Sequence, residues 1–298
     1  MNYAQDALWW KLESAWVRDL AGLLTAPALW RTGQELPVAE LLGDQGFRLL
    51  LDWDRQPAPE GLAHERLGHY AENLLAYWLQ HAPHSRLLAR EWRVDGASGA
   101  QDGALDFVAQ LNGHVYHIEL TCKYYAGQGS PETMRGFQPN DVLADKARKL
   151  AQQSALSQRA DVQAALAAQG IDTQELRRVS IVRGNAFTDT GTLPTDSIYA
   201  PNAWTGQWLS QPEQWLAFAE HSRFCRLPRQ GYLSPARVPE ACLLTRQEVM
   251  AAAQNGIFCP RFLRRRIHCV LRSMPIIRGR AAIQNCSRRR CHCGSSER

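Results

Sequence analysis

The dipeptide Asn112-Gly113, set between two runs of alternating apolar residues in LDFVAQLNGHVYHIELTCKYY, constrains this chain more tightly than any other feature. A two-residue type I′ hairpin loop needs φ > 0 at both positions, and Asn-Gly meets that need. With these two as the loop, Leu111 pairs with His114, and the register carries outward to set Asp106 directly opposite Glu119. The other face aligns Leu105 with Leu120, Phe107 with Ile118 and Ala109 with Tyr116, a coherent apolar surface. Two carboxylates opposed across an antiparallel ladder, with Cβ atoms about 4.5–5.5 Å apart, destabilise it. A divalent cation held by both would relieve the repulsion. Mg²⁺ (or Mn²⁺), with bonds of about 2.0–2.1 Å and a shell completed by water or substrate phosphate, fits that gap.

Lys123 lies on the Glu119 side of its strand, since alternate residues point the same way. The stretch therefore offers two metal-ligand candidates and one ammonium on one surface, although a surface ion pair on a solvated sheet face accounts for the same residues. His117 shares that side and could support Glu119; a packed or surface histidine is the simpler reading. Upstream, Leu67, Tyr70, Leu74, Tyr77 and Trp78 recur at helical spacing within residues 62–83, in a helix that also carries Glu72. A strand, SRLLAREWRV, follows. Downstream, Asn140 or Asp141 reads as the N-cap of a second helix with Leu143, Ala147 and Leu150 on its apolar side. Residues 179–182 read as a buried strand.

The order helix, three strands, helix, strand, with Glu72, Asp106, Glu119 and Lys123 at those positions, resembles the PD-(D/E)XK nuclease core, and LGHYAENLLAYWL is similar to the Gly-x-x-x-Glu first helix of several of its branches. The resemblance implies an α/β fold in which Asp106, Glu119 and Glu72 bind Mg²⁺ or Mn²⁺, Lys123 orients water or steadies phosphorane charge, and the reaction is phosphodiester hydrolysis, on DNA foremost. The sequence departs from the usual Glu-x-Lys spacing. Thr121 holds that position and Lys123 lies two residues on, about 6.7 Å along the strand. A catalytically inactive protein that keeps the fold as a nucleic-acid-binding or protein scaffold is the competing expectation. Lys146 and Gln153, on the second helix, are candidate phosphate contacts and equally read as solvated helix residues. A wider resemblance, carried in order by VRDLAGLLTAPALW, LGHYAENLLAYWL, YHIELTCKYYAG, GFQPNDVLADKARKLAQQSALS and GYLSP, is to the bacterial family called domain of unknown function 1853.

These readings divide the chain into a helical extension (residues 1–59), the nuclease-like core (60–190), a completion of the same domain by short strands and a helix (191–258), and a tail (259–298). The Trp9, Leu12, Trp16, Leu20 stripe marks a core-facing first helix. The net charge of +5 is uneven: from Arg261 to Arg298 there are eleven Arg and one Glu, so the body is mildly acidic. Five of eight Cys (Cys259, Cys269, Cys286, Cys291 and Cys293) also fall late, without CxxC spacing. A basic nucleic-acid arm or a zinc site could explain the tail, but translation out of frame explains its Arg, Cys and Ser content most simply, and it predicts no packed element there. Neither a signal peptide nor an apolar run of membrane-spanning length is visible, which predicts a cytoplasmic protein without a membrane partner. The Gly/Pro-rich residues 127–139 read as a lid or a plain connection, and lack Walker A spacing.

Overall fold

The structure is a computed structural model that describes residues 11–96, 101–138, 140–195, 197–209, 211–227, 229–254 and 270–271. Its centre is a mixed sheet in the order β1 (Ser85–Asp95), β2 (Gln101–Leu111), β3 (His114–Ala126), β4 (Arg177–Thr188) and β5 (Trp204–Trp208). The first three strands form an antiparallel meander, and β4 and β5 each run parallel to their predecessor. Asn112 and Gly113 have φ of 48° and 86°, as a type I′ turn requires, and the register from Phe107↔Ile118 to Leu111↔His114 is the one the dipeptide dictates.

The period-two alternation of β3 assigns its two faces. Tyr116, Ile118, Leu120 and Cys122 join a core with α4 (Leu67–His81), where Leu67, Leu74, Leu75, Trp78 and Leu79 are buried. The helical extension packs on the same side: α1 (Ala15–Thr25) buries Trp16 and Leu20, α2 (Val38–Leu42) buries Leu41, and α3 (Gly46–Trp53) sets Trp53 against Trp78 with ring centroids 5.6 Å apart. Leu12, Trp16 and Leu20 are core residues as their spacing implies; Trp9 lies outside the described residues. Arg183, on β4, is buried and donates to the carbonyls of Leu23 and Leu24, so the end of α1 is tied to the sheet by a guanidinium that satisfies helix carbonyls with no partner of their own. On the opposite face, α5 (Leu143–Ala155) packs Leu143 and Leu150 against Tyr125, Val182 and Ala186. Next to it α6 (Ala160–Ala168) packs Val162 and Leu166 against Val94, Leu105 and Val108. Helices thus cover both faces of the sheet, as an α/β fold with a parallel pair at its centre requires.

Three details differ from the sequence reading. Leu105 does not align with Leu120, because the β2–β3 ladder ends at Phe107↔Ile118; Leu105 packs on the α6 side while Leu120 stays on the α4 side. Neither Asn140 nor Asp141 caps α5, whose N-cap is Val142 without a side-chain bond, since the Asp141 carboxylate is engaged by Lys123 and Tyr125. The second helix does not lead straight into the buried strand, because α6 lies between α5 and β4. Residues 127–138 form a folded connection, in keeping with one of the two forms expected: Ala126 and Arg135 exchange backbone hydrogen bonds of 2.9 Å each, and Met134 is fully buried. After β5, Trp215, Phe224 and Val249 build a small satellite core around β6 (Arg223–Phe224), β7 (Leu244–Thr245) and α7 (Arg246–Gln254). Of the tail, only β8 (Val270–Leu271) is described; it pairs antiparallel with Gln207 and Trp208, where the free edge of β5 offers unsatisfied backbone groups. The rest of the expectation for residues 259–298 lies outside the described residues. No helix among the described residues is long and apolar enough to cross a membrane.

Two glycines separate backbone strain from collision. At Gly113 a Cβ would meet nothing within 4 Å, so Gly113→Ala costs only the left-handed conformation, about 1–2 kcal/mol. At Gly184 (φ 148°) a Cβ would stand 1.6 Å from the carbonyl oxygen of Lys123, its parallel-ladder partner. Thermal melts should show Gly113→Ala lowered by a few degrees and Gly184→Ala lowered far more or unfolded; equal shifts would contradict the β3–β4 packing.

Candidate functional site

Where the β2–β3 ladder stops, side chains replace the next backbone bonds. The Asp106 N–H donates to Glu119 Oε1 at 3.4 Å, and the Leu120 N–H donates to Asp106 Oδ2 at 2.9 Å. Each strand thus hands a backbone donor to the other strand's acid, and this brings the two carboxyl groups together on the side covered by α5. Glu119 is 1% exposed. Burial first, then the charge of Glu119 and more weakly that of Glu72, pushes the Asp106 carboxyl up to about 7. Burial also pushes Glu119 up to about 7, opposed by its hydrogen bonds with Asp106 and by the Lys146 ammonium. Two acids in such contact do not both ionise readily, so near neutral pH the pair tends to keep a proton. Two buried polar atoms on this side, Glu119 Oε2 and Thr121 Oγ1, have no hydrogen-bond partner among the described residues.

Lys146 enters from α5, one turn beyond Val142. Burial lowers its pKa, and the charges of Asp106 and Glu119 act in the opposite direction. Its neighbours Lys123 and Lys149 act on it as like charges. Gln153, two turns from Lys146 on the same stripe of α5, is half-buried.

Lys123 points to a different partner. Its Nζ lies 2.6 Å from Asp141 Oδ2, while the Tyr125 hydroxyl donates to Asp141 Oδ1 at 3.2 Å. Gly136 completes this clamp, because a Cβ there would come within 2.5 Å of Asp141 Oδ2. Glu72 projects from α4 on the other face of the sheet. Its Oε2 lies 3.0 Å from His69 Nδ1, and its influence on Asp106 is through charge. Asp106 and Glu119 are therefore brought together and coupled by charge to Lys146, and more weakly Asp106 to Glu72, whereas Lys123 is paired with Asp141 and Gln153 lies further along α5.

His117 belongs to the site more closely than its sequence position suggests. It is 1% exposed, with Nε2 2.8 Å from Glu119 Oε1 and Nδ1 2.8 Å from the Ser157 hydroxyl. Burial holds its pKa down to about 4, so it is neutral at physiological pH. Ser157, His117 and Glu119 form a line like that of a serine hydrolase triad, but Ser157 is also 1% exposed and cannot reach an acyl substrate. The signal for His117 was its shared strand face with Glu119. Ser157, in a 3₁₀ turn (Leu156–Gln158), and Asp141, in a loop, carried no such periodicity.

Among the described residues, no group of three or more His, Cys, Asp or Glu could hold a metal ion by itself.

The raised carboxyl pKa values fix a pH dependence. In the unfolded chain both acids ionise near pH 4, whereas the folded protein keeps protons on them to about pH 7. Over that window the folded state binds more protons, so these groups lower stability as pH rises and cost most above pH 7. His117 acts in the opposite sense, and because the Asp106 charge raises its pKa, Asp106→Asn leaves it lower still, so it is neutral at pH 8 in both proteins. Asp106→Asn removes one buried charge and can still accept from Leu120. Its melting temperature should exceed wild type at pH 8 by about 2–4 °C, with the gap closing toward pH 4; a wild type at least as stable at pH 8 would contradict the coupling.

A family model described as Domain of unknown function (DUF1853) matches residues 18–257. No curated protein and no solved structure matches the chain. Since the match takes in the extension, the sheet, both covering helix layers and every site residue named above, the chain belongs to this family of unknown function.

Proposed function

We propose that the protein is a Mg²⁺- or Mn²⁺-dependent nuclease that hydrolyses phosphodiester bonds, DNA foremost, in the cytoplasm. One observation carries this reading: the Asp106–Glu119 pair, pushed toward neutrality, is coupled by charge to the half-buried Lys146 ammonium and leaves Glu119 Oε2 without a protein donor among the described residues. The connectivity supports it. The order α4, β1, β2, β3, α5, α6, β4, with β3 and β4 parallel and adjacent, resembles that expected of a PD-(D/E)XK core apart from the added α6, and Glu72, Asp106 and Glu119 stand on the elements where its acids are expected.

The chemistry of the donor set fits a hard divalent ion. Mg²⁺ is commonly held by one or two carboxylates, with water and substrate phosphate completing the shell, so a pair of acids without a third protein ligand suffices. When bound, such an ion supplies Lewis-acid polarisation of the phosphate and a water of lowered pKa. Asp106 and Glu119 would hold it and, in doing so, would give up to solvent the proton they otherwise share. Lys146, fixed on α5 beside them, meets the negative charge that develops on the phosphate. Lys149 adds positive charge near Lys146, which an otherwise acidic body needs if a nucleic-acid backbone is to lie there. Gln153 contacts a neighbouring phosphate further along α5, and Glu72 bears on the pair from the α4 side. The lysine of the site is thus Lys146 rather than Lys123, whose ammonium is taken by Asp141.

The Lys123–Asp141 pair also favours a second reading. If that ion pair has replaced a lost catalytic lysine, the protein is an inactive scaffold of the same fold. Calorimetric titration with Mn²⁺ and hydrolysis of single- and double-stranded DNA separate the two. The nuclease reading expects Mn²⁺ binding that Asp106→Asn abolishes. It also expects turnover that Lys146→Ala lowers about 10²-fold or more while Lys123→Ala lowers it less than about 10-fold. Absence of both Mn²⁺ binding and hydrolysis would leave the scaffold.

A further inference from the structure

Glu119 must present one particular oxygen to the site, and its own strand does not determine which, since a glutamate has three side-chain torsions and the Asp106 N–H at 3.4 Å is a long, weak restraint. His117 provides a second restraint, from two residues back on the same face. Its Nε2 lies 2.8 Å from Oε1, the oxygen that also accepts from the Asp106 N–H, and this leaves Oε2 as the buried oxygen that, apart from the proton the acid pair shares, meets no donor among the described residues. The imidazole is in turn fixed by Ser157, whose hydroxyl lies 2.8 Å from Nδ1. Once Glu119 is ionised, as holding a cation requires, its oxygen only accepts, so Nε2 then carries the imidazole proton and Nδ1 accepts from Ser157. Ser157 follows directly on α5, the helix that carries Lys146. The chain Ser157–His117–Glu119 therefore ties the acid on β3 to the helix that bears the ammonium. All three residues are within 1% of full burial, so water does not compete for any of these bonds.

We infer that His117 is a positioning residue for the proposed reaction: with Ser157 behind it, it locks Glu119 so that Oε2 faces the divalent ion. This inference rests on the nuclease reading of the preceding section. Outer-shell partners of this kind commonly change metal affinity or activity 10–100-fold when removed. The amide nitrogen of glutamine can take the place of Nε2, whereas leucine fills the space and donates nothing. His117→Gln separates the hydrogen bond from the packing.

The test is calorimetric titration of Mn²⁺ into the full-length wild type, His117→Leu, His117→Gln and Ser157→Ala, each first shown to be folded by its melting transition. Mn²⁺ affinity should fall about 10–100-fold in His117→Leu. It should return to within a few-fold of wild type in His117→Gln and fall by an intermediate factor in Ser157→Ala. A purely packing role would weaken both His117 variants together and leave the donor irrelevant. If wild type and His117→Leu bind Mn²⁺ equally, or if His117→Gln fails to rescue, the positioning role is overturned while the metal site stands. If the wild type binds no Mn²⁺, the nuclease reading falls and takes this inference with it. Should His117→Leu fail to fold, the comparison of Ser157→Ala with His117→Gln decides, because only a positioning role orders them as stated.

Discussion

The reciprocal bonds between β2 and β3, Asp106 N–H to Glu119 and Leu120 N–H to Asp106, determine what the rest of this structure can be. An antiparallel ladder that continued past Phe107 would have set two charges face to face with nothing between them. Instead the strands part, and the acids absorb the backbone donors that parting would orphan. The opening also moves Leu105 to the α6 side, where it packs with Val94 and Val108. The same acids then need a cation or a proton, and Lys146, His117 and the raised carboxyl pKa values are the answers the fold provides.

The surrounding architecture serves that point. The parallel pairing of β3 with β4 runs through Glu119↔Ser180 and Lys123↔Gly184, so the acid-bearing strand is held along its length by a buried neighbour. The β3-to-β4 crossover lays α5 over the acid side of the sheet, which is how residues 27 positions apart in sequence, Glu119 and Lys146, come to interact. On the opposite side α4 and the helical extension supply a large apolar layer in which Trp16, Trp53, Tyr77 and Trp78 are packed edge to edge or stacked. A buried pair of acids costs stability, and that layer offsets the cost.

Local rules made part of this legible. Asn112-Gly113 set the hairpin register because the side-chain period of a strand is two, and a single slip would have turned the apolar set of β3 to the wrong face. α4 and α5 followed from 3.6-residue periodicity with the same directness, whereas α6 did not. Register arithmetic failed at Leu105 because it assumes that a ladder continues, and it cannot register that carboxylates will take the place of backbone acceptors. Lys123 looked like the nearest ammonium because it shares a strand with Glu119. Four residues of strand nevertheless span about 13 Å, and Asp141, which captures it, lies in a loop whose path no periodicity reveals. Lys146 needed the crossover to be known before it could be preferred. His117 was visible on the right face, but Ser157, which makes it a fixed donor rather than a packed ring, was not.

Anomalous scattering from crystals grown with Mn²⁺ tests the site most directly, because it locates the ion without reference to turnover. A peak bridging the Asp106 and Glu119 carboxylates, with Lys146 beside it and His117 still bonded to Oε1, is the expected result. A map with no peak there at millimolar Mn²⁺, or with manganese bound elsewhere while the acid pair keeps its ion-free arrangement, would contradict it.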